Sequence, residues 1–222
     1  MFNKKNFITL VIIINMIMSV CTSMNVSAAV NLAIYTATAP TTDASGNIWV
    51  YFGTGDKTDP SSITAGSERV YAIKDIDRTS TYTLVNIMDI SSGVYDPNST
   101  TYHGWYIILQ GTGEKMLSAP AVYDQKVYFT TYTPSSTPCD QNGDAKLYVV
   151  DYLTGAGLLN GSRSENVGQG IPTAVISVNP YGGYNVYIST SSANTPTFPA
   201  PDPSPQHTKA KNMIYWKDNR VQ

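Results

Sequence analysis

Histidine, cysteine and charge are scarce in this chain, and each scarcity removes a class of function. The two histidines are His103 and His207. No zinc-ligand spacing surrounds them, and no Gly-X-Ser-X-Gly elbow supplies a nucleophile for a Ser-His-Asp arrangement. Both read as loop residues. Only 14% of residues are charged and the formal net charge is -2. There is no basic stripe, which argues against a nucleic-acid partner. Long helices are excluded because Gly, Pro, Ser and Thr punctuate almost every stretch. Long apolar runs are absent as well. The one sustained run, Phe7 to Val20, is broken by Asn15 and falls short of the roughly 18–20 residues that span a bilayer. Lys4 and Lys5 precede it, and Val26-Ser27-Ala28 follows it with the small residues that a signal peptidase reads. Residues 1–28 therefore read as a secretory signal peptide, cleaved after Ala28. The mature chain, 29–222, is expected to be exported and not membrane-spanning. Cleavage removes Cys21 and leaves Cys139 alone, without an internal disulfide partner.

What is present is a repeat. Sixteen tyrosines and 16 glycines, against five phenylalanines, suit short strands and many turns. Three segments share one order of features. The first runs from Ala39-Pro40 through NIWVYFGTG (47–55) to RVYAIKD (69–75). The second runs from LSAPAV (117–122) through KVYFTTYTP (126–134) to KLYVVDYLTG (146–155). The third runs from GIPTAVISV (170–178) through YNVYIST (184–190) to NMIYWKD (212–218). Each reads as a strand opened by an X-Pro step, a second strand, a variable loop and a third strand. Tyr51, Tyr128 and Tyr187 align, as do Tyr71, Tyr148 and Tyr215. In KVYFTTY the alternation puts Val127, Phe129 and Thr131 on one face and Tyr128, Thr130 and Tyr132 on the other. Asp151 to Gly155 has the composition of a tight turn. Gly104 to Leu109 adds an outer strand before the second unit. Trp49, Trp105 and Trp216 are expected to fill the cores between units. Repeating units of three or four short antiparallel strands predict an all-β fold, a partial β-propeller of about three antiparallel blades. Residues 56–68 and 190–211 are expected to be surface loops, where binding function tends to sit.

The run GWYIILQGTGEKMLSAPAVYDQKVYFTTYTPSSTPC, continuing into KLYVVDYLTG, resembles the C-terminal region of PilY-type type IV pilus proteins. So do DASGNIWVYFGTG with VYAIKD, and IPTAVISVNPYGGYNVYIST with MIYWKDNRV. The resemblance covers roughly residues 37–222. It implies a non-enzymatic protein of pilus assembly or of the pilus tip, acting in adhesion or assembly by protein–protein contact. The implied location is the periplasm, the cell surface or the pilus tip. The implied partners are pilins or minor pilins, or a companion chain that completes the propeller. The long N-terminal region of that family is not found here, and three units are fewer than the four to eight blades of closed propellers. Two other readings are carried alongside: a fragment of a quinone-dependent dehydrogenase-type propeller, suggested by the YVVD and YAIKD strings, and a truncated gene product without an independent role.

Few residues suggest a site. Asp140, Asn142 and Asp144 have the alternating oxygen spacing that opens a calcium loop. Gly143 stands at the wrong place for an EF-hand, and no bidentate Glu follows. A polar hairpin tip explains the same residues. Asp56, Asp59 and Glu68 read as a solvated loop. GTGEK (111–115) echoes a phosphate loop but lacks its terminal Ser or Thr and precedes a strand. No catalytic or cofactor-binding residue is assigned; calcium is the one cofactor considered.

Overall fold

The computed structural model describes residues 34–63, 67–76, 79, 81–137, 142–178 and 184–192. Among them the regular structure is strands and a single 3-10 turn, Leu84–Asn86. The strands are β1 (Ala39–Thr42), β2 (Ile48–Gly53), β3 (Arg69–Asp75), β4 (Met88–Asp89), β5 (Gly104–Ile108), β6 (Ala121–Tyr123), β7 (Lys126–Thr133), β8 (Asp144–Asp151), β9 (Ser164–Gln169), β10 (Pro172–Val178) and β11 (Tyr184–Thr190). They form three sheets in chain order: β1-β2-β3-β5-β4, then β6-β7-β8-β9, then the pair β10-β11. All pairings are antiparallel except β4 with β5. The fold is all-β and propeller-like, as the repeat implies.

Each sequence unit maps onto one sheet. Gly104–Ile108 pairs with β3 on one side and with the two-residue β4 at the sheet edge on the other, so this strand belongs to the blade before the second unit. The second sheet has an equivalent outer strand, β9, which the sequence pattern does not reveal. Its residues SENVGQ are mostly polar and solvent-facing, with only Val167 buried. The ladder with β8 holds it, across a bulge at Ala145/Lys146. The proline steps differ in detail. Pro172 opens its strand and Pro40 is the second residue of β1, whereas Pro120 lies just before β6. In all three places the missing N–H costs no interior ladder bond. The third strand of the last unit, NMIYWKD, with Tyr215 and Trp216, lies outside the described residues, as do residues 1–28, Cys139 and His207.

The period-2 alternation decides how the sheets stack. Trp49, Tyr51, Val70, Ala72, Trp105 and Ile107 of the first sheet pack against Val127, Phe129, Tyr148 and Val150 of the second. Tyr128, Leu147 and Val149, on the second sheet's other face, pack against Val186 and Ile188. Trp49 and Trp105 are fully buried, as expected of core tryptophans. Each such ring removes about 150–250 Å² from water, worth about 4–6 kcal/mol at the usual coefficient. Hydrogen bonds also cross the same interface. The Trp105 indole N–H donates to the Leu153 carbonyl at 2.9 Å, and the Tyr51 hydroxyl donates to the Tyr152 carbonyl at 2.8 Å.

Two buried carboxylates organise turns. Asp151 Oδ1 accepts from the Leu153 and Thr154 amides and from the Thr154 hydroxyl, and Gly155 then takes φ +66°. Asp43 accepts from the Ser45 and Asn47 amides, the Asn47 side chain and the Trp49 indole, closing the turn between β1 and β2. Burial opposes ionisation of Asp43, but these four donors outweigh it and hold its pKa below the usual carboxylate value.

Candidate functional site

The segment Gly111–Lys115, between β5 and β6, joins the first two sheets. The Lys115 amide and carbonyl exchange 2.9 Å hydrogen bonds with Tyr132 at the end of β7, and the Met116 amide donates to the Thr54 carbonyl just beyond β2. The two charged side chains of the segment therefore turn inward on either side of a seam. Both are buried, against the ordinary expectation for Glu and Lys.

Glu114 points among hydroxyls of the second sheet. Its Oε1 accepts from the Thr131 hydroxyl at 2.6 Å and the Tyr148 hydroxyl at 2.9 Å. Its Oε2 accepts from the Gly111 amide at 2.7 Å and from Lys146 Nζ at 3.2 Å. Desolvation pushes the carboxyl pKa up, but the hydrogen bonds from Thr131, Gly111 and Tyr148 and the charge of Lys146 bring it below the ordinary value. Burial and the adjacent anion raise the Tyr148 hydroxyl. The group is a satisfied buried anion. Every partner is a hydrogen-bond donor from the chain itself, so the arrangement fastens the junction segment to the second sheet.

Lys115 reaches the opposite way. Its Nζ donates to the Ser62 carbonyl at 2.5 Å and, at 3.4 Å, to the Asp59 carbonyl. Burial lowers its pKa, against the attraction of Glu68, Asp59 and Asp56. The expectation of a solvated loop holds for the exposed Asp59 and is corrected at Glu68, which is buried. Glu68 is 4% exposed and its Oε2 has no hydrogen-bond partner, so the nearby ammonium supplies its compensating charge. The Lys115 ammonium therefore anchors the loop to the sheet junction. Replacing Lys115 by Met should free residues 56–63 while leaving the sheets intact. Cleavage by trypsin after the exposed Lys57 should rise about tenfold, the equivalent of one lost hydrogen bond to a charged group.

The GTGEK string is thus a sheet junction. No helix follows it, and its lysine is committed to carbonyl oxygens. Of the calcium candidates, Asn142 and Asp144 are exposed at the tip between β7 and β8, on either side of the buried Gly143, while Asp140 lies outside the described residues. Both described residues line a polar hollow of about 360 Å³ with Thr112, Thr133, Ser135 and Gln169. Among the described residues no three His, Cys, Asp or Glu side chains come together as a metal-binding group. His103 lies against the Tyr82 ring, centroids 5.1 Å apart. A second hollow of about 610 Å³ lies between Ser91–Val94 and Ala156–Ser164. Arg163 ties its walls, donating to the carbonyls of Gly155, Ser91 and Gly93.

No protein-family model matches the chain. An alignment over 75 residues is 36% identical to a type IV pilus biogenesis factor, a PilY1 homologue of Xylella fastidiosa, and takes in 28% of this chain and 5% of that protein. The fold superposes on the crystal structure of the Pseudomonas aeruginosa PilY1 C-terminal domain with a TM-score of 0.56 and 20% identity. The chain is similar to PilY1 in sequence and in fold. That match takes in 81% of this chain and 47% of the solved chain, so the present protein spans about half of that domain. The resemblance read from the GWY, GEK, LSAP and VYFTTY motifs is borne out. The structure also gives those motifs a common meaning. GWY supplies Trp105 to the inter-sheet core, GEK supplies the junction, and VYF supplies both faces of β7.

Proposed function

We propose that this chain is a non-enzymatic, exported protein of type IV pilus assembly or of the pilus tip, working by protein–protein contact. The observation that carries the reading is the agreement between a sequence match to a pilus biogenesis factor and a fold match to the C-terminal domain of such a protein. The buried polar groups fit the reading. Glu114, Lys115, Asp43 and Asp151 are each consumed in holding sheets or turns. Contact surface comes instead from sheet faces and from sheet edges, the latter being templates for pairing with another chain. The partners are pilins, minor pilins or a companion propeller chain.

The test is a pull-down with the tagged full chain from envelope and sheared-pilus fractions. Enrichment of pilins over an unrelated exported control supports the reading. Equal recovery from control and bait, with unchanged piliation in a strain lacking the chain, overturns it. Calcium at the Asp140–Asn142–Asp144 tip belongs to the same proposal, because Asn142 and Asp144 open onto one polar hollow. Calcium should raise the melting temperature of the wild type and leave that of Asp144→Asn unchanged.

A further inference from the structure

The triplet Val-Tyr-Phe or Val-Tyr-Ile recurs at residues 50–52, 127–129 and 186–188. In the second unit its residues face opposite neighbours. Val127 and Phe129 are buried against the first sheet, and Tyr128 is buried towards β10 and β11. The first unit repeats the tyrosine half of this rule, since Tyr51 is buried against the second sheet. The third unit repeats the other half, since Val186 and Ile188 are buried against the second sheet from the far side. Two faces remain. Val50 and Phe52 are only half-buried at one end of the stack. At the other end Tyr187 is 44% exposed and its cross-strand partner Val175 is 56% exposed.

These faces match the two sides of a contact already made inside the molecule. Phe52 pairs with Tyr71 across β2 and β3 just as Phe129 pairs with Tyr148 across β7 and β8. The rings stack in both, with centroids 5.1 Å and 4.6 Å apart and tilts of 21° and 14°. Phe129 and Tyr148 are the surface that the second sheet seats on the first. The opposite end presents Thr173, Val175, Ser177, Asn185, Tyr187 and Ser189, all exposed and none charged. The solvated face of an antiparallel sheet normally alternates polar residues outward. An uncharged face with an apolar pair at its centre has the character of a contact surface.

We propose that copies of this chain stack end to end, the Val50, Phe52 and Tyr71 face of one seated on the Val175 and Tyr187 face of another. The contact repeats the one between the first two sheets. Its two sides differ, so it is heterologous: it closes two copies into a ring or continues along a row. The inference deepens the contact reading above by naming a second copy as the partner. Its test uses purified protein without pilus components, so its failure is separable from failure of the pilus reading.

Sedimentation velocity of the full chain across micromolar concentrations should show a concentration-dependent two-copy or larger species. Phe52→Glu and Tyr187→Glu should each weaken self-association by at least about tenfold, the usual cost of a lost aromatic anchor. Val175→Glu should behave as Tyr187→Glu does. An equimolar mixture of Phe52→Glu and Tyr187→Glu should restore a two-copy species, because each variant keeps the face that the other has lost; restoration also shows that both fold. A wild type that stays monomeric throughout overturns the proposal. So does a Phe52→Glu variant that still dimerises while Tyr187→Glu does not, since that pattern belongs to a like-with-like contact.

Discussion

Gly104→Ala should destabilise the protein by about 4 kcal/mol or more, enough to leave most of it insoluble or unfolded on expression. Gly104 opens β5 and pairs with Ile73 of β3. Its φ is +138°, a region that residues with a Cβ rarely occupy. An added Cβ would also lie 2.1 Å from the Ala72 carbonyl oxygen and 3.0 Å from the Ile73 Cα. Both obstacles are backbone atoms of the neighbouring strand. They move only if the β3–β5 ladder opens, and that ladder carries Trp105 into the core. Gly93→Ala is the control. Nothing stands within 4 Å of its added methyl, and its φ is not in the positive range. It should change stability by about 0.5 kcal/mol or less, as surface substitutions usually do. Denaturant melts of the two variants against wild type separate these outcomes. A Gly104→Ala protein with wild-type stability would show that β5 pairs differently.

Glu114→Ala should cost about 3 kcal/mol, because the Thr131 and Tyr148 hydroxyls and the Gly111 amide all lose their acceptor inside the structure. For a chain of this size that is a fall of about 6–12 °C in melting temperature. Most of the cost lies in donors left without partners. The Lys146 contact adds little, since that lysine side chain is 30% exposed. The carboxyl also makes stability depend on pH. Its pKa is lower in the folded chain than in the unfolded one, so the unfolded state takes up its proton first as acid is added. The stabilisation is complete above about pH 4.3, the unperturbed glutamate value, and disappears as pH falls through the folded pKa. Glu114→Gln should therefore melt lower than wild type at neutral pH, with the gap closing in acid. A constant gap from neutral pH to the acid limit would mean that the carboxyl is not ionised in the fold.

The parts of this architecture that could be read in the sequence are those with period 2. β7 alternates apolar and aromatic side chains so regularly that both its neighbours are implied by KVYFTTY. Asp151 and Gly155 announce their turn through residue type alone. β9 could not be read, because SENVGQ buries one side chain and is held by main-chain bonds, which leave no mark on side-chain pattern. Glu114 and Lys115 were opaque for another reason. Charge ordinarily means exposure, and nothing local distinguishes a buried ion from a solvated one. The signal lies elsewhere in the chain, in the hydroxyls of Thr131 and Tyr148 and in the carbonyls of a loop some fifty residues upstream. The direction of each aligned tyrosine is a third case. Alignment shows that Tyr51, Tyr128 and Tyr187 are equivalent, but which neighbour they face emerges only when the sheets are stacked.

Lys115 has one further consequence. Loops of this kind, with carbonyl oxygens and carboxylates turned toward a common centre, are often moulded by a dissolved ion and relax when it is withdrawn. Here the ion is a side chain, covalently part of the strand junction it serves. The shape of residues 56–63 is therefore inherited with the polypeptide rather than borrowed from the medium. It should survive chelators and dialysis.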